Sequence, residues 1–350
     1  MNLWPPALYL QNAQQHGVAD PVAREALQQA HEVQRRRLPA ILTLKHLAIR
    51  TNTRYEDLRR YVERAEDPYR KFRITKRSGG KRLICVPNQP LMILQRWLAE
   101  YVLNPIEPNP ASTAYTPGAS AIRCAHQHCG ARWLLKLDIR KFFESVSEIQ
   151  VFHVFQSLGY NPLISFEMAR LCTRIYLDSN RWERKVWTTH AGEYAAIPEY
   201  AVKQIGHLPQ GAPTSPMLSN LAMRALDGDL TQLAADAGLT YTRYADDLTF
   251  STGSSAFSKE EATRFLRRAQ QRVREEGLLP NKRKTLIAPP GARKIVLGLL
   301  VDGDRPRLRR ELQRHVYGLV AYARQIELDF AERLEQELAQ VDWGLLATSG

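Results

Sequence analysis

Apolar and polar positions change their period several times along this chain. From 20 to 65, Leu, Ala and charged residues recur at helical spacing, which predicts a helical packing scaffold. Residues 69 to 87 then alternate, and the run is punctuated at Ser78-Gly79-Gly80, as two short strands joined by a turn would be. An apolar stretch from Trp133 to Leu137 runs directly into Asp138 and predicts a strand ending on a carboxylate. Further strands are expected over 240–250 and 294–301, with helices over 146–158 and 215–235 between them. Residues 160–207, containing Trp182, Trp187 and Tyr194, read as a long insertion to which the pattern assigns no role. Past Arg305, Leu308, Leu312, Val316, Leu319 and Val320 form an apolar stripe opposite a row of arginines, the pattern of a helix that packs on one side and is basic on the other.

The chemistry concentrates where the strand pattern breaks. Tyr241–Arg243 and Leu248–Phe250 flank Tyr244-Ala245-Asp246-Asp247, so the hairpin turn must fall at the acidic pair. That turn lacks the Gly or Asn that tight hairpins prefer and is expected to be strained. Adjacent aspartates repel each other unless a cation sits between them. With Asp138 they supply hard oxygen ligands from two strands, as paired Mg²⁺ ions need when, roughly 3.5–4 Å apart, they clamp the oxygens of a phosphoryl transfer. Taken singly, an Asp-Asp turn or a strand-end aspartate is also compatible with ordinary structure. Between them Leu208-Pro209-Gln210-Gly211-Ala212-Pro213-Thr214-Ser215-Pro216 forms a Gly/Pro-punctuated loop leading into an apolar helix.

These segments, in this order, resemble the reverse transcriptases. Asp138 matches the first catalytic aspartate, the Gln210–Pro216 loop a later motif, and Tyr244–Asp247 the catalytic hairpin. Lys76–Ile84 is similar to the basic fingers hairpin, Asn281–Thr285 to the motif after the catalytic hairpin, and Val296–Leu299 to the primer grip. The resemblance spans roughly residues 40 to 325 and is nearest to the bacterial retron type. There, Cys124-Ala125-His126-Gln127-His128 stands at an Asn-Ala-x-x-His element but lacks the Asn, and Val296-Leu297-Gly298 stands at a Val-Thr-Gly.

The resemblance implies an α+β right-hand polymerase with fingers, a ferredoxin-like palm and a helical thumb. Its divisions fall at 1–130 for N-terminal helices and fingers, 131–300 for the palm with a fingers insertion near 160–207, and 301–350 for the helical thumb. It implies an RNA-directed DNA polymerase that copies a structured noncoding RNA into DNA, in a retron or related anti-phage defence system. Asp138, Asp246 and Asp247, with the Ile139 carbonyl, would hold two Mg²⁺ ions, and Lys284 would donate a proton or stabilise charge near the leaving group. Lys76 and Arg82 would grip the dNTP triphosphate, Gln210 would lie near the incoming sugar, and Phe143 would close against its 2′ position. His128, Gly298, Arg307, Arg310 and Arg314 would contact nucleic acid. The implied partners are the RNA template, its DNA product, dNTPs and, beyond these, an effector protein.

Composition agrees. The net charge of +13 and pI near 9.7 favour a polyanionic partner, and fourteen Lys or Arg face four acids between Arg264 and Arg310. No apolar run approaches the ~20 residues that span a bilayer, no membrane partner is expected, and a cytoplasmic location is. Cys85, Cys124, Cys129 and Cys172 are scattered, which suits free thiols. The close spacing of Cys124, His126, His128 and Cys129 argues against a zinc site. The competing function class is a nucleic-acid-binding scaffold, or a template-independent polymerase, of another defence-associated group. The three retained carboxylates favour the templated enzyme.

Overall fold

The computed structural model describes residues 6–75, 79–116, 118–175 and 205–308, together with 310, 314, 322, 324, 325, 327–330 and 332. The N-terminal scaffold comprises α1 (Pro6–Gln15), α2 (Asp20–Arg35), α3 (Leu44–Arg50) and α4 (Tyr55–Val62). The hairpin of β1 (Tyr69–Thr75) and β2 (Lys81–Pro87) follows, then α5 (Gln89–Leu98), which runs into a π-helical turn at Ala99–Leu103, and α6 (Ala121–His126). Next come β3 (Trp133–Asp138), α7 (Phe142–Ser145), α8 (Glu148–Ser157), α9 (Pro162–Cys172), α10 (Ser215–Ala222) and α11 (Arg224–Asp236). A second hairpin is β4 (Thr240–Tyr244) and β5 (Asp247–Thr252), followed by α12 (Lys259–Glu275), β6 (Leu286–Ala288), β7 (Ile295–Val296), β8 (Leu299–Leu300) and β9 (Arg307–Leu308).

The palm is a four-stranded antiparallel sheet in the order β4-β5-β3-β6. Alternation divides its residues between two faces. Leu135, Leu137, Leu248, Phe250 and Tyr241 are buried in the main core with α11 and α12, where Phe250 stacks on Tyr241 and meets Phe265 edge-on, both at 4.8 Å. Leu134 and Ala288 face the other way, into a smaller cluster with Cys124 and Ala125 of α6 and with Val296 and Val301. One face is thus closed by helices, while the other carries the small β7-β8-β9 sheet.

Three expectations change. β6 is absent from the sequence pattern, because three residues cannot display a period. The segment read as an insertion from 160 onward is part of the core through Cys172: Tyr160 is buried, and α9 packs on α8 and α4 with Met168, Ala169, Leu171 and Cys172 in the core. Arg174 and His207 pair in an antiparallel bridge. Trp182, Trp187 and Tyr194 lie outside the described residues. Leu308, expected on the apolar stripe of a thumb helix, instead pairs with Leu299 as part of β9 and is 39% exposed. The small sheet therefore includes Arg307 and Leu308. Arg310 and Arg314 are helical and exposed, while Leu312, Val316, Leu319 and Val320 lie outside the described residues. Among the described residues, no helix is long and apolar enough to cross a membrane.

Candidate active site

The register of the palm brings the acidic residues together. Asp138 ends β3 directly opposite Asp247, which opens β5, and Tyr244 pairs with Asp247 from the other side. Only Ala245 and Asp246 remain to make the turn, and Ala245 takes φ +56°. A two-residue hairpin needs that left-handed conformation to match strand twist, and alanine adopts it at a cost. The turn is held from two sides: the Ile139 amide donates to the Asp246 carbonyl at 3.0 Å, and the Arg243 guanidinium donates to the Ala245 carbonyl at 3.3 Å.

Arg243 is fully buried beneath this turn. It donates to both oxygens of Asp227, at 2.8 and 2.7 Å, and also to Asn220 and Ser112. Its guanidinium lies 5.7 Å from the centre of the Phe142 ring. A buried charge needs this degree of satisfaction, and the result is a rigid footing for Asp246.

The segment after α12 runs beside Asp138 and satisfies its carboxylate. Asn281 donates from its side chain to Oδ1 at 2.7 Å and from its backbone to the Asp138 carbonyl at 2.7 Å. Lys284 Nζ donates to Oδ2 at 2.5 Å. Asp247 is drawn aside toward Lys136, whose Nζ lies 3.5 Å away. Asp138 and Asp247 are thus turned onto basic or amide partners, and among the described residues no three acidic, His or Cys side chains close into a ligand cluster. Burial and then the neighbouring Asp138 charge push the Asp246 carboxyl above its ordinary value. Burial opposes the Lys284 charge, but its hydrogen bond and attraction to Asp138 outweigh that and raise its pKa.

In front of the carboxylates opens a cavity of about 980 Å³. Asp138, Ile139, Asp246 and Lys284 form one end, Arg73, Lys81 and Arg82 of the β1–β2 hairpin another, and Tyr115, Phe143 and Gln210 the walls between. A polyanion with an apolar body fits such a lining. The Gln210 loop is locked onto the hairpin, since the Cys85 amide donates to the Gln210 carbonyl at 2.7 Å. Gly211, at φ +110°, comes so close that a Cβ there would stand 2.9 Å from Ile84 Cγ2 and 3.1 Å from the Cys85 carbonyl. Only glycine permits both the conformation and the approach.

The profile of the family described as reverse transcriptase (RNA-dependent DNA polymerase) matches residues 74–299. The chain belongs to the reverse transcriptase family. It is 32% identical over 281 residues to the Retron Ec86 reverse transcriptase of Escherichia coli, covering 80% of this chain and 77% of that one. It is 33% identical over 285 residues to the Retron Mx65 reverse transcriptase of Myxococcus xanthus, covering 76% and 63%. This reverse transcriptase is accordingly an RNA-directed DNA polymerase of the retron type with the right-hand α+β fold.

Of the residues singled out in sequence, the reverse transcriptase gathers Asp138, Ile139, Phe143, Gln210, Asp246, Lys284 and Arg82 around one cavity. Lys76 lies outside the described residues. His128 is a correction: expected at an RNA surface, it is buried beneath the palm sheet. Its two ring nitrogens lie 2.7 Å from the hydroxyls of Ser251 and Thr242, and burial lowers its pKa to about 4. It is a neutral strut between α6 and the sheet. Gly298, at φ +87°, shares the β7–β8 turn with Leu297 at φ +49° and is exposed there. Arg307, Arg310 and Arg314 are also exposed, and none of these four lines the cavity. Sequence reasoning left Asn281 and Arg243 without roles, although both stand inside quoted motifs, and missed Tyr115, which belongs to no regular element.

Proposed function

We propose that this enzyme copies a structured noncoding RNA into DNA at the Asp138–Asp246 cavity. The observation that carries this is the convergence of Asp138, Asp246 and Asp247 on adjoining strand ends, with an ammonium already seated on Asp138. A site that draws a lysine onto one carboxylate and raises the pKa of another has excess negative charge, and this fits cations. Asp138, Asp246 and the Ile139 carbonyl, supported by Asp247, would hold two Mg²⁺ ions. When bound, such ions lower the pKa of an attacking hydroxyl and neutralise charge on a pyrophosphate leaving group.

The remaining work falls to the protein's own residues. Arg82, with Lys76, grips the triphosphate through forked and point-charge donors. Gln210 positions the sugar and its base pair. The Phe143 ring stands against the 2′ carbon and leaves no room for a hydroxyl. Lys284 stabilises charge, or supplies a proton, on the pyrophosphate side. The exposed Gly298 turn with Arg307, Arg310 and Arg314 contacts the nucleic acid, whose phosphates favour a protein of net charge +13. The setting we infer is the cytoplasm, in an anti-phage retron system with an effector protein as a further partner. Four free cysteines suit that reducing compartment.

Primer extension with Asp246→Ala tests the reading. Incorporation of dNTPs should be abolished while RNA binding stays near wild type, because affinity resides in the basic surfaces. Near wild-type extension by the variant would sink the assignment. Sequencing the nucleic acid that copurifies with the protein identifies the template.

A further inference from the structure

Tyr115 has a combination of properties that an ordinary loop aromatic lacks. Its backbone lies at φ +64°, a region that bulky L-residues avoid. Its side chain is 39% exposed, and it opens onto the cavity that holds Asp138, Asp246 and Gln210. Burial, and then the Asp246 carboxylate, raise the pKa of its phenol, so the ring is neutral at working pH.

The chain leading to Tyr115 is fixed. Ser112 bridges Arg243 in parallel at the outer edge of β4. The Arg243 amide donates to the Ala111 carbonyl at 2.7 Å, and the Thr113 amide donates to the Arg243 carbonyl at 2.8 Å. The Asn220 side-chain amide donates to the Ala114 carbonyl at 2.7 Å. A strained conformation persists where its surroundings over-determine it, and such positions cluster where function needs them.

The ring completes a row of three. Phe142 is buried and lies against the Arg243 guanidinium. Phe143 follows at 5.6 Å, and Tyr115 stands beyond it at 6.0 Å, tilted by 43°. These separations are those of favourable aromatic pairs. Phe143 is only partly buried, and its ring pairs with both the anchored Phe142 and Tyr115.

The geometry points to Tyr115 as a positioning residue for sugar selection, which backs the Phe143 ring so that it stays fixed against the 2′ position of the incoming nucleotide. This rests on the polymerase reading and on Phe143 as the sugar gate. A gate that rejects a single hydroxyl works sterically, and a ring free to swing aside would admit it.

The test compares dNTP and rNTP incorporation efficiency in wild type, Tyr115→Gly, Tyr115→Phe, Phe143→Ala and the double variant Phe143→Ala/Tyr115→Gly. Glycine accepts φ +64°, so Tyr115→Gly should keep the fold, which a thermal melt checks. Its dNTP preference should nevertheless fall by roughly three- to tenfold, the equivalent of one aromatic pair. Tyr115→Phe should keep the preference. The double variant should lose no more than Phe143→Ala, because the effect passes through Phe143. If Tyr115→Gly extends primers too slowly, the same ratio is read from nucleotide affinities of the stalled primer–template complex. A wild-type ratio in Tyr115→Gly alongside a lowered one in Phe143→Ala would overturn the proposal and leave the gate standing. An unchanged ratio in both would remove the gate and the proposal together.

Discussion

Lys284 Nζ sits 2.5 Å from Asp138 Oδ2, so the carboxylate that ends β3 is already neutralised by a side chain from beyond α12. The lysine side chain is 60% exposed, and its long stem gives it freedom to leave. It occupies the place where a metal ligand must be free. Lys284 is thus the counter-ion of Asp138 in this structure, and a cation held by Asp138 would compete with it for Oδ2.

Replacement by Lys284→Met should act in two opposite directions. Mg²⁺ should bind more tightly, because its competitor on Asp138 is gone, and calorimetric titration checks this. The turnover number should fall by about 10²-fold, the lower range for loss of a general acid. A fall in kcat with no change in Mg²⁺ affinity would mean that the lysine does not compete at Asp138.

Asp246 carries an electrostatic cost that has a predictable pH dependence. Its folded pKa lies above the unfolded value of about 3.9. The contribution it makes to stability is therefore complete below the unfolded value and is lost as pH rises through the raised folded one. At neutral pH the metal-free enzyme should be stabilised by Asp246→Asn, with Tm rising roughly 1–2 °C per kcal/mol of repulsion removed. The difference should shrink at acid pH, and Mg²⁺ should raise the Tm of the wild type more than that of the variant. Thermal melts at two pH values with and without Mg²⁺ decide it, and equal Tm values throughout would reject a charge-strained turn.

The Arg243–Asp227 pair makes a contrasting prediction about stability. Both side chains are fully buried, and Tyr241 donates at 2.9 Å to Asp227 Oδ1, the oxygen that also accepts from Arg243 Nε. Asp227→Asn leaves the guanidinium without its charge partner and should cost about 3–5 kcal/mol in urea unfolding. The double variant Asp227→Leu/Arg243→Met should recover much of that loss, because no uncompensated charge remains. If the double variant keeps the fold but polymerises slowly, the Arg243 contact to the Ala245 carbonyl is what the turn required.

What could be read from sequence depended on whether burial left a trace in the pattern. The strand Trp133–Asp138 was legible because an acid ends an apolar run, and it lies where expected. The hairpin was legible too, but its turn falls at Ala245–Asp246 rather than at the acidic pair, because Asp247 pairs with Tyr244 and Asp138 and opens β5. Helix α9 was not, since Ile164, Ser165, Glu167, Met168, Ala169, Leu171 and Cys172 are all buried and leave no polar face to mark a helical period. His128 misled because a histidine that bonds two buried hydroxyls looks, in sequence, like one that meets RNA. Tyr115 is placed at the cavity by the bonds that Ala111, Thr113 and Ala114 make to Arg243 and Asn220, which no local pattern encodes.

The basic surface beyond the palm should recognise a particular folded RNA. Arg307, Arg310 and Arg314 are exposed, and the β7–β8 turn presents Gly298 nearby in sequence. Charge alone gives an affinity that falls steeply with salt and scarcely distinguishes sequences. RNA shape, loops and 2′-hydroxyls add a preference that survives at higher salt. Binding is therefore to be measured for RNA transcribed from beside the gene and for a scrambled RNA of equal length, at two salt concentrations. The adjacent transcript should bind more tightly at both, and the ratio should hold or widen at the higher one. Exchanging Arg310 and Arg314 for Gln should weaken both RNAs and reduce the salt slope by roughly one for each lost phosphate contact. Equal affinity for the two RNAs at both salts would reject a cognate RNA partner and leave only a general affinity for polyanions.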